Sequence, residues 1–126
     1  MGKQTINTLN APAPIGPYSQ AVKAGGVLYI SGQIAINPVT SEVVTGTITE
    51  EAEQVMSNLK SILENAGLGF ANVIKTTIFL SDMELFASVN EVYGKFFDTD
   101  YPARETIAVK GLPKNVNVEI SMIASE

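Results

Sequence analysis

A chain of 126 residues is long enough for one hydrophobic core and too short for two, so a single domain spanning 1–126 is expected. A formal net charge of −5, with no lysine or arginine cluster, argues against a nucleic-acid backbone as main partner and against an anionic membrane surface. With no cysteine and no histidine, disulfides, thiolate chemistry and the usual zinc and non-haem iron ligand sets are excluded, leaving only a carboxylate magnesium site formally open.

The leading segment "MGKQTINTLNAPAP" has no apolar stretch of the secretory kind, and no window approaches a membrane-spanning length, which makes the cytoplasm the default location. Pro12, Pro14 and Pro17 then forbid a helix and impose an extended or turning lead-in up to Tyr18. "SQAVKAGGVLYISGQIA" reads as two β-runs hinged at Gly25-Gly26, and "NPVTSEVVTG" as a surface loop. From Thr47 the period changes: Ala52, Val55, Met56, Leu59, Ile62, Leu63 and Ala66 recur at three- and four-residue steps, as one face of a helix requires. Thr47 with Glu50 fits a capping box, and Gly67 fits the stop. "NVIKTTIFLSD" is β-branched and aromatic, as a strand is, and Ser81 with Glu84 offers a second capping box. Phe86, Val89, Tyr93, Phe96 and Phe97 trace a second helical stripe. "ETIAVKG" and "VNVEISMIA" close the chain as strands joined by a Leu112-Pro113-Lys114-Asn115 turn.

The order β-β-α-β-α-β-β describes a two-layer sandwich in which each helix makes the right-handed crossover between strands. Two helices cover only one face of a sheet, yet "VLYI" and "TIFL" are apolar at consecutive positions. Either a second copy of the chain covers the other face, or a modest apolar patch stays exposed.

Arg104 is the residue that most needs a reason. It is a permanent cation between a Tyr-Pro-Ala turn and a β-run, with a planar fork of donors that suits a carboxylate; the alternative is a strand-end ion pair with an acidic neighbour. Glu119 interrupts the last strand on the row of Asn117 and Ser121, opposite Val118, Ile120 and Met122, where it either holds a water or lies on a solvated face. Asn90 falls within the second helical stripe, so partial burial is expected, whether it serves a pocket or ties down a loop. Tyr18, Ser31 and Gly32 flank turns and supply hydroxyl and backbone groups that either line a pocket or serve the fold.

Taken in order, "APAPIGPYSQAV", "LYISGQIAINP", "NLKSILENAG", "VIKTTIFLSDM", "FASVNEVYGKFF" and "PARETIAVKGLPKNVNVEI" resemble the RidA family, also called YjgF/YER057c/UK114, across nearly the whole chain. The resemblance implies a chorismate-mutase-like α+β fold and a homotrimer with a central barrel and clefts between subunits. It implies hydrolysis of 2-enamine and 2-imine acids such as 2-aminoacrylate, 2-iminopropanoate and 2-iminobutanoate to 2-keto acids and ammonia, without a metal or cofactor. In that likeness Arg104 binds the substrate carboxylate and Glu119 helps position the attacking water. Tyr18, Ser31, Gly32, Asn90 and Thr106 take the other pocket positions. Thr106 stands where many relatives carry cysteine, and the role implied there is a backbone carbonyl contact to the substrate nitrogen. A relative of the same fold that senses a keto or imino acid and contacts a protein partner, without catalysis, is the other function the likeness allows.

Overall fold

The computed structural model describes residues 2–126 and contains six strands and two α-helices: β1 (Gln4–Ile6), β2 (Ala21–Ala24), β3 (Val27–Gln33), α1 (Ile48–Asn65), β4 (Val73–Leu80), α2 (Phe86–Gly94), β5 (Ala103–Ala108) and β6 (Val118–Ser125). All strands join one mixed sheet in the order β1-β2-β3-β6-β4-β5. Every neighbouring pair is antiparallel except β4 with β5. The last strand therefore inserts between β3 and β4, α1 crosses over it, and α2 carries the chain from β4 to its parallel neighbour. This is the α+β two-layer arrangement expected from the sequence.

Local chemistry explains where the elements begin and end. Gly25 and Gly26 adopt φ of 57° and 78°, the doubly positive pair that a two-residue hairpin loop between Ala24 and Val27 requires. The Glu50 amide donates to Thr47 Oγ1 at 3.1 Å and the Thr47 amide to Glu50 Oε1 at 3.2 Å, completing the capping box of α1. At its other end Gly67 takes φ of 78°, its amide bonds the Glu64 carbonyl, and the Leu68 amide reaches back to that of Leu63. That pair of bonds is a Schellman stop.

The second helix departs from expectation. No capping box forms at Ser81 and Glu84, because Ser81 Oγ is engaged with Asn117 Oδ1 across the sheet end. Asp82 caps instead: its Oδ1 accepts the Glu84 amide at 2.8 Å and opens a 3₁₀ turn over Met83–Leu85 that leads into α2. The helix then stops at Gly94, before Phe96 and Phe97. Those rings still pack inward, each 5.4 Å from the Phe70 ring. The N-terminal β1 is an added strand, paired with β2 through Thr5 and Val22. It escaped the sequence reading because three residues are too few to display a period. The fifth strand also starts two residues earlier than expected, at Ala103, and takes in Arg104.

Helix α1 buries Val55, Met56, Leu59, Ile62 and Leu63 completely, and this face joins Ile78, Leu80, Val118 and Ile120 in the main core. Along β6, and along β4 from Thr76 onward, buried residues alternate with partly buried ones, so one sheet face is covered by helices and the other is bare. The bare face is apolar in part. Tyr29 is 50% exposed and pairs with Ile123, while Ile107 is 47% exposed and pairs with Phe79.

Three buried polar side chains fix the ends of this sheet. Gln20 donates to the carbonyls of Thr8, Ala11 and Pro12 and accepts from the Thr8 amide, holding the proline-rich lead-in against β2. Asn58 donates to the carbonyls of Ile34 and Ile36 just after β3. Glu51, in the first turn of α1, accepts from the amides of Asn117 and Val118 at 2.7 and 3.2 Å and from the Asn117 side chain at 3.0 Å, which sets where β6 begins. Glu51 is 5% exposed and Val118 fully buried, so replacing Glu51 by alanine strands the Val118 amide and frees the exposed Asn117, and Glu51→Ala is expected to cost about 1 to 3 kcal/mol in urea unfolding. Glu51→Gln, which retains one acceptor, is expected to cost about half as much.

Candidate functional site

Parallel pairing with β4 places Arg104 opposite Thr76 and Thr106 opposite Ile78. Thr76 and Ile78 are both buried under the helices, so Arg104 and Thr106 share the helix-covered face of the edge strand. There the guanidinium carbon of Arg104 lies 5.0 Å from the Tyr93 ring centroid and 5.7 Å from that of Phe86, within cation–π range of both. Its Nη1 donates to Asn90 Oδ1 at 2.7 Å. The group lines an open cavity of about 430 Å³ with Asn90, Tyr93, Gly94, Tyr101 and Pro102.

The ion-pair alternative for Arg104 finds no partner: among the described residues no carboxylate lies within salt-bridge range of it, and the adjacent Glu105 pairs with Lys75 at 3.1 Å. The cation therefore has a built pocket, a side-chain acceptor on one nitrogen, and its remaining donors uncommitted to any carboxylate. Asn90 does not meet its expectation of partial burial. It is exposed, because the buried stripe of α2 runs through Val89, Val92 and Tyr93 and leaves Asn90 at its edge, beside the cation. Thr106 Oγ1 is itself buried and has no hydrogen-bond partner.

Glu119 occupies the opposite face. It sits between Val118 and Ile120, which are fully buried beneath α1, and therefore points to the bare side, opposite Phe79. Tyr18, Ser31, Gly32, Ile15, Ile34 and Pro113 line a second cavity of about 340 Å³ with it. The register of β3 against β6 slips between Ile30 and Gln33, a bulge that carries Ser31 and Gly32 out of the regular ladder and toward this cavity. Ser31 Oγ donates to the Ser19 carbonyl at 2.7 Å, and the Tyr18 hydroxyl accepts from the Ile15 amide at 3.3 Å, so the lead-in is fastened where it crosses the cavity. Gly32 leaves the space that Glu119 occupies: a Cβ there would fall 2.9 Å from Glu119 Cδ and displace the carboxylate from its place against the β3 backbone. Burial raises the Glu119 pKa above the ordinary carboxylate value.

The residues singled out in the sequence thus fall into two sets on opposite sides of the sheet. Arg104, Asn90 and Thr106 stand on the helix side, and Glu119, Tyr18, Ser31 and Gly32 on the bare side. Two strand spacings, about 10 Å, separate β5 from β6. Phe86 and Tyr93, which frame the cation, read in the sequence only as core stripe. Among the described residues no group of three or more acidic side chains is placed to hold a metal ion, and no helix is long and apolar enough to cross a membrane.

Residues 8–126 match the family described as endoribonuclease L-PSP. A RutC family protein of Pyrococcus horikoshii is 52% identical, with 97% of each chain covered. A 2-iminobutanoate/2-iminopropanoate deaminase of Mus musculus is 47% identical over 97% of this chain and 90% of that one. The crystal structure of RidA from an Antarctic Psychrobacter is 45% identical and has a TM-score of 0.94 to this fold, covering 98% of this chain and 99% of that one.

The raised pKa of Glu119 has a stability consequence of definite sign. Protonation is favoured in the folded state, so the stabilisation this confers is full below the unfolded-state pKa and is lost as pH rises through the folded one. Glu119→Gln, neutral throughout, is expected to remove that part of the pH dependence and to melt at the same temperature as the parent or slightly higher near neutral pH. Thermal melts of both proteins between about pH 4 and pH 8 check this, and a variant that melts several degrees lower near neutrality would mean that the carboxylate stabilises the fold.

Proposed function

From the premise that the chain belongs to the endoribonuclease L-PSP family, which is also the YjgF/RidA family, we propose that it hydrolyses 2-enamine and 2-imine acids to 2-keto acids and ammonia. The observation that carries this reading is the state of Arg104: a guanidinium in an open cavity, bonded to Asn90 through one nitrogen, with donors to spare and, among the described residues, no carboxylate to meet them. A small ligand with a carboxylate supplies what that cation lacks. The name of the mouse relative supplies the reaction class. RNA cleavage, the other activity in the family's description, suits this chain poorly, since it carries a charge of −5 and no histidine to move protons at a phosphodiester.

The chemistry asks little of the protein. A protonated imine is already electrophilic at carbon and hydrolyses in water unaided, so holding the substrate and a water together accounts for most of the acceleration required. Arg104 grips the carboxylate. Water held by Glu119 adds to the C=N carbon, giving a carbinolamine. The carbon–nitrogen bond then breaks, and ammonia leaves as the carbonyl forms. A carboxylate whose pKa is raised by burial is a better proton acceptor than an ordinary one, which suits Glu119 to take a proton from that water. The backbone carbonyl of Thr106, on the exposed edge of β5, is the proposed partner of the substrate nitrogen.

One chain does not bring these groups together, because Arg104 and Glu119 project from opposite sheet faces. The reading therefore includes assembly as a homotrimer in which bare sheet faces meet, covering Tyr29, Phe79, Ile107 and Ile123, and the Tyr18–Ser31–Gly32–Glu119 wall of one copy adjoins the Arg104 wall of another. The apolar pairs on that face support this, since burying them removes the exposed hydrocarbon that a lone subunit presents.

The decisive assay generates 2-iminopropanoate in situ with an amino-acid oxidase and follows its decay with and without the protein. Arg104→Lys keeps the charge and loses the planar fork, and is expected to cost on the order of ten- to several-hundred-fold in kcat/KM, from the roughly 1.5 to 3 kcal/mol that a charge-assisted hydrogen bond contributes. Arg104→Ala hydrolysing at the parental rate would sink the carboxylate-binding role. A mixing experiment tests the shared site: Arg104→Ala and Glu119→Gln, each inactive alone, are expected to regain activity when unfolded and refolded together, because about one site in four then pairs two intact walls. No recovery in mixed trimers would place both groups in the same subunit's site.

A further inference from the structure

Asn90 accounts for one nitrogen of Arg104, but one hydrogen bond does not fix a guanidinium at the end of a long flexible stem. The surroundings of Tyr93 supply the missing constraints. Its ring lies 5.0 Å from the guanidinium carbon. Its hydroxyl donates to Thr76 Oγ1 at 3.0 Å, and Thr76 is the residue that β4 places directly opposite Arg104. The tether and the cation therefore rise from paired positions on neighbouring strands, and the ring bridges the space above them. Phe97 packs against the same ring at 4.8 Å, and Tyr93 is 4% exposed, so the ring has no room to swing away. Burial raises the pKa of the phenol, which keeps the proton that the Thr76 bond needs.

We infer that Tyr93 is a positioning residue for Arg104: tethered to Thr76, its ring, together with that of Phe86, holds the guanidinium so that Asn90 takes Nη1 and the other donors are presented to a ligand carboxylate in the adjoining cavity. The inference rests on the deaminase reading for its kinetic consequence and stands apart from it for its structural one. A ring face attracts a cation without accepting its N–H bonds, so it restrains the plane of the fork while leaving the donors along its edge unspent. A carboxylate from the protein in the same place would consume those donors and repel the substrate. An aliphatic residue would fill the volume and leave the fork free to rotate.

The test compares Tyr93→Leu, which keeps an apolar side chain and removes the ring, with Tyr93→Phe, which keeps the ring and removes only the tether. Two readouts are taken on the full-length assembled protein: KM and kcat for 2-iminopropanoate, and the ¹⁵N order parameter of Arg104 Nε. Tyr93→Leu is expected to raise KM roughly three- to tenfold with kcat little changed, and to make Arg104 Nε mobile on the nanosecond scale. Tyr93→Phe is expected to recover most of the affinity and an ordered Nε. Should Tyr93→Leu fail to fold, Phe86→Leu, at the partly buried second ring, is expected to give the same pair of changes. A parental KM in the leucine variant, or a raised KM with Arg104 Nε as ordered as in the parent, overturns the inference. If the parent protein itself fails to hydrolyse the imine, the deaminase reading falls, and the positioning claim is decided by the order parameter and by titration with 2-oxobutanoate, which is expected to bind the leucine variant three- to tenfold more weakly.

Discussion

The alternation of β6 is the constraint on which this molecule turns. The strand is inserted between β3 and β4, so it must be hydrophobic on the side that meets α1, and Val118, Ile120, Met122 and Ala124 satisfy that demand with almost no exposure. A period of two then leaves Glu119, Ser121 and Ile123 on the other side with no freedom to do otherwise. The core thereby decides where the carboxylate points. Glu51 sets the strand's starting point through the amides of Asn117 and Val118, so the register that delivers Glu119 to the bare face is fixed by a buried carboxylate at the start of α1. The bulge in β3 and the missing Cβ at Gly32 then make the space into which Glu119 settles.

The same rule applied to β5 gives the opposite result. Arg104 follows the faces of Thr76 and so meets the helices, where Tyr93 and Phe86 offer aromatic faces in place of anions. Placing a cation beside apolar rings carries a desolvation cost, which the open cavity and Asn90 limit. The result is an arginine whose charge no carboxylate among the described residues of its own chain neutralises. On the proposed reading this division of labour replaces histidine: a fixed cation orients the substrate, and a separate carboxylate, made more basic by burial, attends to the water. Within one chain the two groups project from opposite faces of the sheet, so they form no ion pair with each other and each keeps its charge for a ligand.

Much of this was legible in the residue pattern. The hairpin at Gly25-Gly26, the capping box at Thr47, the stop at Gly67 and the faces of β6 each depend on contacts within a few residues of sequence, and each formed as read. The failures share a cause. Ser81 did not cap α2 because Asn117, 36 residues away, competes for its hydroxyl. Asn90 lay at the edge of its stripe rather than within it because the short α2 turns Val89, Val92 and Tyr93 inward. A three-residue strand such as β1 exists only because β2 offers it an edge.

The sequence by itself determined the two helices, the alternation of β6 that turns Glu119 away from the core, and the absence of thiol and imidazole chemistry, since all of these follow from composition and short-range period. Tertiary structure alone decided what those side chains meet: that Tyr93, which reads as an ordinary core aromatic, stacks on Arg104 while bonding the strand partner of that arginine; that Gly32 lies under the Glu119 carboxylate; and that Glu51, one of many acidic residues, is the buried anchor of β6. Such meetings join residues 11 to 87 positions apart, Tyr93 to Arg104 at the near end and Gly32 to Glu119 at the far end. No local pattern records them, because the free energy that selects them comes from closing the sheet as a whole.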